Sequence, residues 1–306
     1  MASQGTGAKR ALITGAGGFT GRYLARELRQ HGWEVWGLGH TPAAAFPAAE
    51  LHHYVQTELN DYAPLQAAVL QAAPQAVFHL AAIAFVGHGS PADFYRVNVG
   101  GSRNLLQALA GLPTAPQSVL LASSANVYGN AAEGQLAEST PLRPANDYAV
   151  SKAAMEMMAS LWVDRLPLAV ARPFNYTGLD QSTDFLIPKI VDHFRRKAPM
   201  IELGNLHVWR DFSDVRDVVR AYRLLAEKPV AGAVVNVGSQ ALHSLQDVLD
   251  LCARLTGHAM EVRVNPAFVR ANEVKTLRAD TSRLDALIGE RSLVPLEQTL
   301  QWMLAP

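Results

Sequence analysis

The chain alternates short apolar runs with longer amphipathic segments over residues 9–170. The apolar runs lack polar alternation, as is typical of strands buried on both faces of a sheet. They lie at 11–14, 33–38, 76–80, 118–122 and 168–171. The segments between them carry apolar residues at helical spacing, most clearly at 23–30, 102–110 and 151–166. The alternation predicts an α/β fold in which helices cover both faces of a doubly wound parallel sheet.

The pattern loosens beyond residue 173 into scattered amphipathic helices that are separated by proline, glycine and asparagine. These helices are expected at 185–196, 214–226, 244–255 and 295–304. We therefore expect residues 1–172 to form the domain of the large sheet. Residues 173–306 are expected to form mainly a smaller α/β substrate-binding cap, with some segments returning to the large sheet.

Composition narrows the class of protein. The chain has 306 residues, of which 49% are hydrophobic, so it can bury a full core. Lysine plus arginine and aspartate plus glutamate both total 27, which leaves no basic field for a nucleic-acid backbone. No apolar run approaches the length of a membrane span, and the first ten residues do not resemble a signal peptide. We expect a cytoplasmic protein that binds neither nucleic acid nor membrane.

Cysteine and histidine give no sign of a metal site. Cys252 is the single cysteine, so an internal disulfide or a thiolate cluster cannot form. The histidines, including the His52-His53 pair, lack metal-ligand spacing. We predict no metal and expect Cys252 to be a buried apolar side chain.

A glycine-rich turn follows the first predicted strand and opens the first predicted helix. Gly15, Gly18 and Gly21 are spaced G-x-x-G-x-x-G. Such glycines permit a tight turn and let the backbone approach a pyrophosphate that the helix N-terminus attracts. The context is typical of a Rossmann domain and predicts a bound nicotinamide dinucleotide.

The end of the second predicted strand bears on the choice of cofactor. NAD sites carry a carboxylate there for the ribose 2′-hydroxyl, whereas this chain has Gly39, His40 and Thr41. A 2′-phosphate would meet no repulsion, and His40 or Arg22 could pair with it. NADP is therefore favoured, and a neutral pocket that also accepts NAD remains an alternative.

Tyr148 and Lys152 stand four residues apart and therefore share one face of a predicted helix. A nearby cation stabilises a phenolate, so Tyr148 is expected to have a lowered pKa and to exchange protons near neutrality. Ser124 follows the strand at 118–122 and can hold a substrate oxygen at the carboxyl edge of the sheet. We predict Ser124, Tyr148 and Lys152 as the catalytic residues.

These motifs together resemble the extended short-chain dehydrogenases/reductases that modify nucleotide-linked sugars. The resemblance covers nearly the whole chain and includes His79-Leu-Ala-Ala82, Val97-Asn-Val-Gly100, Val127-Tyr-Gly129 and Arg172-Pro-Phe-Asn175. It implies a set of cofactor-binding residues. They are Gly15, Gly18, Phe19, Thr20, Gly21, His40, Leu59, Leu80, Ala81, Ala82, Asn98, Tyr148, Lys152 and Pro173. The resemblance also implies a homodimer joined by a four-helix interface.

The second half is similar to one branch, the GDP-mannose 4,6-dehydratases and the GDP-6-deoxy-4-keto-D-mannose reductases. Leu203-Gly-Asn-Leu206, Trp209-Arg-Asp-Phe212 and Arg270-Ala-Asn-Glu-Val274 carry this similarity. Two arginines suit a diphosphate, and a glutamate suits the donor edge of guanine. The substrate-binding residues implied are Ser124, Ala125, Asn126, Asn175, Lys189, Arg210, Arg270 and Glu273. A GDP-linked sugar is favoured.

Asn126 bears on the reaction. In the dehydratases a glutamate two places after the catalytic hydroxyl helps to move protons, and an amide at that place cannot. A ketoreductase needs no such group, so an NADPH-dependent 4-ketoreductase is favoured. An epimerase or dehydratase that recycles a bound cofactor and a non-catalytic NAD(P) sensor remain alternatives. Ala84 stands where related enzymes have a hydroxyl, so the sugar is expected to differ, and His88 offers a replacement contact.

Overall fold

The computed structural model describes residues 8–42, 50–84, 90–130, 133–228, 230–268 and 274–305. A parallel sheet of seven strands forms its centre. With strands numbered along the whole chain, these are β1 (Arg10–Thr14), β2 (Glu34–Gly39), β3 (His53–Gln56), β4 (Ala76–His79), β5 (Ser118–Ala122), β7 (Leu168–Pro173) and β11 (Val234–Val237). Their spatial order is β11-β7-β5-β4-β1-β2-β3. The sheet therefore reverses its winding between β1 and β4, which places a crevice at their carboxyl ends.

Helices cover both faces of this sheet and bury two separate apolar clusters. One face carries α1 (Phe19–Gln30), α7 (Val215–Ala226) and α9 (Ser282–Ile288). The other carries α2 (Tyr62–Ala72), α4 (Ser102–Ala110) and α5 (Asp147–Ala159). A short helix α3 (Pro91–Phe94) and a π-helix (Tyr95–Gly101) lead directly into α4. The predicted doubly wound α/β fold is confirmed.

The smaller sheets use strands from both halves of the chain. One sheet contains β6 (Gly134–Leu136), β8 (Asn175–Thr177), β10 (Trp209–Asp214), β12 (Leu242–Ser244) and β14 (Thr276–Ala279). The other pairs β9 (Met200–Leu203) with β13 (Glu261–Val264). A third apolar cluster lies among α6 (Leu186–Arg195), α8 (Leu245–Thr256) and α10 (Leu296–Leu304). The second half of the chain supplies β11 to the large sheet, and the first half supplies β6 to a smaller sheet. The chain therefore passes between the large sheet and the smaller sheets more than once.

Local sequence signals explain where several helices begin. Ser244 accepts a hydrogen bond from the Asp247 amide at 3.0 Å, and Asp247 accepts one from the Ser244 amide at 2.8 Å. This reciprocal capping box satisfies two amides that a helix leaves unpaired at its start. Asp214 caps α7 in a similar way by accepting from the Arg216 amide at 2.8 Å.

Two kinds of feature do not occur among the described residues, a membrane-spanning helix and a metal-binding cluster of side chains. No helix among them is long and apolar enough to cross a bilayer. Nor do they hold a group of three or more acidic, histidine or cysteine side chains that could bind a metal ion. Cys252 is fully buried, and burial raises the pKa of its thiol to about 12.

Candidate active site

The backbone of the glycine turn leaves no room for a Cβ at two of its three glycines, Gly15 and Gly21. Gly15 adopts a φ of +70°, and a Cβ there would lie 2.8 Å from Ala81 Cα. Gly18 is the residue that precedes α1, and a Cβ on Gly21 would overlap the carbonyl oxygen of Gly15. The turn therefore keeps backbone open at the N-terminus of α1, where helix amides attract anions. This cradle fits the pyrophosphate of a dinucleotide.

Side chains around the turn connect it to the crevice. The Leu80 amide donates to the Thr14 carbonyl at 3.2 Å, and the Ala81 amide donates to the Thr14 hydroxyl at 3.2 Å. The turn and the segment after β4, which includes Ala82, therefore lie side by side. On the other side, Thr20 shares a 2.8 Å hydrogen bond with the Tyr176 phenol.

Phe19 stacks on the same ring of Tyr176, with ring centroids 6.2 Å apart. Tyr176 directly follows the motif Arg172-Pro-Phe-Asn175, and this position is the sequence signal that could have marked it as a site residue. It was missed as a candidate because nothing in the sequence links it to Thr20.

The two residues proposed to pair with a 2′-phosphate, His40 and Arg22, differ in their hydrogen-bond partners. His40 directly follows β2, and its carbonyl accepts a 3.1 Å hydrogen bond from Gln56. Arg22 instead donates two hydrogen bonds of 3.0 and 3.1 Å to Glu50, which also pairs with Arg26. Glu50 is buried, so this carboxylate engages the guanidinium that the sequence offers to a phosphate. Glu50 was not identified from the sequence as the partner of Arg22, because the two residues lie 28 positions apart and no local pattern links them.

The remaining predicted cofactor residues line the neighbouring strand ends and loops. Leu59 is buried against Gly101, and its carbonyl accepts a 3.0 Å hydrogen bond from Asn104. Pro173 is the last residue of β7 and is buried. Both lie on the described backbone near the carboxyl ends of parallel strands, where the predicted cofactor would bind.

The three predicted catalytic residues come together. Tyr148 is the second residue of α5, which begins where the Asn146 side chain accepts from the Ala149 amide at 2.9 Å. The Tyr148 phenol lies within reach of the Ser124 hydroxyl, which lowers the pKa of the phenol. One turn further along α5, the Lys152 ammonium donates to the Ala122 carbonyl at 2.7 Å. Tyr148 and Lys152 on α5 thus both face the end of β5.

The lowered pKa expected for Tyr148 is wrong in this structure. Burial raises the pKa of its phenol to about 12, and the nearby Ser124 hydroxyl lowers this pKa only in part. Burial also lowers the pKa of Lys152 to about 8, although the Glu156 carboxylate acts in the opposite direction. Both the ammonium and the phenolate lose water on burial, and this loss outweighs the attraction between the two charges on which the prediction rested.

A buried chain of hydrogen bonds holds α5 against the strand that precedes the glycine turn. Thr14 bonds His79 Nδ1 at 2.7 Å, His79 Nε2 bonds Ser102 at 2.7 Å, and Ser102 donates to the Asn98 carbonyl at 2.5 Å. The Asn98 amide then donates to Ser151 at 2.9 Å. Burial lowers the pKa of His79 to about 3, so the imidazole is neutral.

Asn98 also fixes the loop after β4. Its side chain accepts from the Ile83 amide at 2.9 Å and donates to the Ile83 carbonyl at 3.2 Å. Ser151 in turn donates to the Tyr148 carbonyl at 2.7 Å. The structure therefore gives Asn98 a positioning role between the crevice and the first turn of α5.

The predicted substrate residues within the described ranges lie on several separate elements. Ala125 and Asn126 open a 3-10 helix (Ala125–Tyr128). Asn126 is exposed, and its backbone amide donates to the Ser124 hydroxyl at 3.2 Å. Asn175 opens β8 and is exposed. Lys189 donates to the Glu202 carbonyl at 3.1 Å.

Arg210 donates to the carbonyls of Trp209 and Lys275, at 2.9 and 3.2 Å. Ala84 is exposed within the described residues. His88, Arg270 and Glu273 lie outside the described residues. The guanine and diphosphate roles predicted for Arg270 and Glu273 stay predictions.

Comparison with known proteins decides the family. Residues 11–238 match the NAD dependent epimerase/dehydratase family, a span that runs from β1 to the end of β11. The chain belongs to this family. The prediction of an extended short-chain dehydrogenase/reductase, and with it an NAD(P)-dependent enzyme, is confirmed. The catalytic face of α5, the glycine turn and the β4 loop all lie within the matched residues.

Two curated family members align over almost the full chain. GDP-6-deoxy-D-talose 4-dehydrogenase from Aggregatibacter actinomycetemcomitans is 33% identical and covers 92% of this chain and 91% of its own. GDP-6-deoxy-D-mannose reductase from Pseudomonas aeruginosa is 32% identical and covers 97% and 96%. The chain is thus similar to nucleotide-sugar oxidoreductases throughout its length.

Solved structures of family members share the fold. A suggested epimerase from Burkholderia cenocepacia J2315 is 49% identical, with a TM-score of 0.93 and 98% of each chain covered. The structure of RMD from Pseudomonas aeruginosa, complexed with NADPH, is 30% identical, with a TM-score of 0.84 and coverage of 97% and 96%. These similarities confirm the Rossmann-type architecture of this family member.

Proposed function

We propose that this family member reduces the 4-keto group of a GDP-linked 6-deoxyhexose with NADPH. The observation that carries the proposal is that Ser124, Tyr148 and Lys152 meet at the end of β5, with Asn126 two places after the serine. The constellation can protonate an oxyanion. It offers an amide at the place where dehydration of the sugar would require a carboxylate.

The residues divide the work of a ketone reduction. Ser124 donates a hydrogen bond to the C4 carbonyl oxygen, and Tyr148 delivers its proton to that oxygen as the C4 carbon is reduced. When bound, the reduced nicotinamide supplies the hydride. Lys152 lies one turn below Tyr148 and stabilises the phenolate that remains. Asn98 holds the first turn of α5 through Ser151.

The names of the curated relatives support the choice of substrate. One is a 4-dehydrogenase of GDP-6-deoxy-D-talose and the other a reductase named for GDP-6-deoxy-D-mannose. These two sugars differ only in the configuration at C4, so one 4-keto compound relates them. We extend that shared chemistry to this chain, and we infer that Lys189, Arg210, Arg270 and Glu273 bind the GDP moiety.

NADP is the proposed cofactor because no carboxylate follows β2, where Gly39 and His40 stand. The structure of RMD from Pseudomonas aeruginosa is complexed with NADPH, which agrees with this preference. The engagement of Arg22 by Glu50 leaves His40 as the better placed of the two candidate partners for a 2′-phosphate. A cytoplasmic location stays a prediction from the sequence.

The direct test is an assay of the purified chain with GDP-4-keto-6-deoxymannose. We expect one NADPH to be oxidised for each ketone reduced, with kcat/KM higher for NADPH than for NADH. Nuclear magnetic resonance of the product then gives the configuration at C4. No loss of NADPH across a panel of GDP-linked and UDP-linked keto sugars would reject the reductase, and a cofactor ratio at or below one would reject the NADP preference.

A second candidate function is a 4-epimerase that recycles a tightly bound cofactor. It is favoured by the 49% identity to the suggested Burkholderia epimerase. This function predicts nicotinamide that remains with the protein through purification. It also predicts that a C4 epimer forms without net oxidation or reduction of added cofactor, so the same assay separates the two candidates.

We also propose that the chain forms a homodimer through a four-helix interface. Val150, Met157 and Leu161 expose 37%, 66% and 78% of their surface. They follow one another at helical spacing on α5 and the 3-10 helix that continues it (Ser160–Trp162). The exposed Tyr95 beside them donates to Asp147 at 2.7 Å. An apolar stripe of this kind suits a self-complementary two-fold contact.

Leu161→Glu is expected to convert the dimer into a monomer, because a carboxylate buried at the contact would weaken association by at least about 100-fold. Sedimentation velocity measures the mass. Leu70→Glu on α2 is the matched control, since Leu70 is 56% exposed on another helix, and this variant should remain dimeric. A wild-type monomer at assay concentrations would reject the proposed dimer.

A further inference from the structure

A buried ion pair lies directly beyond the catalytic lysine. Glu156 follows Lys152 by one helical turn on α5, and Arg172 approaches it from β7. The Arg172 guanidinium donates to the two carboxylate oxygens, with Nη2 at 2.6 Å and Nε at 3.0 and 3.2 Å. The Glu156 side chain exposes only 8% of its surface and the Arg172 side chain only 7%. The pair is therefore fixed in position and poorly screened by solvent.

The pair also contacts the segment that carries the catalytic serine. Ser123, the neighbour of Ser124, donates its hydroxyl to Glu156. Arg172 donates to the Tyr128 phenol at 3.0 Å and to the Glu138 carbonyl at 3.2 Å. The ends of β5 and β7 and the middle of α5 thus converge on one carboxylate.

Stability alone does not account for charged groups at this place. Replacing a buried ion pair by apolar side chains of similar volume is often neutral or stabilising, because burial removes both charges from water. A structural link between β5, β7 and α5 could therefore be apolar. The charge of Glu156 points to a role that depends on its sign.

That role concerns Lys152, which is 3% exposed and donates to the Ala122 carbonyl. Burial lowers the pKa of Lys152, and Glu156 opposes this effect. The other titratable or charged groups that face Lys152 and Tyr148 come from several elements. They are His79 on β4, Tyr176 on β8 and Tyr222 on α7, while Arg172 on β7 contacts Glu156 itself. Within the described residues, Glu156 is the carboxylate that acts on the lysine.

We propose that Glu156, held by Arg172 and Ser123, is a positioning residue that keeps the Lys152 ammonium protonated and in place against Ala122. It thereby sets the pH above which Tyr148 no longer delivers its proton. The role rests on the proposed ketoreductase function, since it concerns the proton that the reaction consumes.

The test compares pH profiles of kcat/KM for ketone reduction. Glu156→Gln keeps the shape of the side chain and removes its charge. Loss of one negative charge favours deprotonation of both Lys152 and Tyr148, so the alkaline limb should move to lower pH by about one unit. The matched control is Glu27→Gln, which removes a carboxylate from the comparably buried Arg223 on α7, away from the crevice. It should lower Tm without moving the limb.

A double variant keeps the test decisive if Glu156→Gln leaves Arg172 unpaired and folds poorly. Glu156→Gln with Arg172→Met removes one charge of each sign. Because Glu156 acts on Lys152 directly, the alkaline limb should lie between that of Glu156→Gln and that of the wild type. An unmoved limb in Glu156→Gln, with a loss of Tm like that of the control, would show a structural role alone. A limb in the double variant that coincides with the wild-type limb would equally overturn the role, because Glu156 would then only cancel the charge of Arg172.

A measurement without substrate separates this inference from the proposed function. The ultraviolet absorption of the Tyr148 phenolate is followed during a pH titration of the cofactor-bound protein, with Tyr148→Phe subtracted. We expect Glu156→Gln to shift this titration to lower pH by about one unit. If no ketone is reduced and the shift occurs, the ketoreductase fails and the role of Glu156 stands. If ketone is reduced and the titration is unchanged, the ketoreductase stands and the role of Glu156 fails.

Discussion

Tyr148→Phe is expected to lower kcat for ketone reduction by about 10²–10⁴-fold, because the variant removes the proton donor and leaves the ring in place. The phenol lies near Ser124 in the first turn of α5, and only 8% of the Tyr148 surface is exposed to water that could replace it as a donor. Cofactor affinity should change little, since the glycine turn is untouched. Single-turnover kinetics with NADPH measure the rate, and fluorescence titration measures the affinity.

Tyr62→Phe is the control for this experiment. It makes the same chemical change at the start of α2, outside the crevice, and should leave kcat unchanged. A Tyr148→Phe variant with wild-type turnover would remove the phenol from the mechanism. If neither protein turns over any sugar and only cofactor binding responds to Tyr148→Phe, the non-catalytic sensor becomes the better description.

Gly21→Ala is expected to give the second large effect, on cofactor binding and on folding. Its Cβ would overlap the Gly15 carbonyl and lie 2.7 Å from Ala16 Cα, which are backbone atoms that cannot rotate away. Overpacking of this kind costs about 1–3 kcal/mol, and the displaced helix would no longer present its N-terminal amides to the pyrophosphate. We expect the Kd for NADPH to rise by at least about tenfold and Tm to fall.

Gly111→Ala provides the comparison. Gly111 ends α4 with an ordinary φ of −90°, and a Cβ there would have its nearest neighbour at 3.5 Å. This variant should match the wild type in Tm and in NADPH affinity. Equal affinities for Gly21→Ala and Gly111→Ala would mean that the cofactor does not use the turn at the start of α1.

The sequence predicted best what is decided locally. The strand, glycine turn and helix from β1 to α1 are contiguous, so their pattern specifies both the fold unit and the anion cradle. The spacing of Tyr148 and Lys152 likewise follows from one helix. Ser124 could be added because parallel strands deliver their carboxyl ends to a common edge.

Features that depend on distant residues escaped prediction. β3 lies at the edge of the sheet, so its residues are largely exposed and lack a continuous apolar run. The raised pKa of Tyr148 follows from burial by several elements, which no local motif encodes. The contact of Arg172 with Glu156 joins β7 to α5 and becomes visible only in three dimensions.

The buried chain through His79 has a single possible arrangement of protons. Ser102 has one hydroxyl hydrogen, and it is donated to the Asn98 carbonyl, which can only accept. Ser102 must therefore accept from His79 Nε2, and His79 Nδ1 must accept from the Thr14 hydroxyl. The imidazole is thus locked as one tautomer. Because every donor points along the chain in one direction, the distance between β1 and α5 is held without a charge that pH could switch.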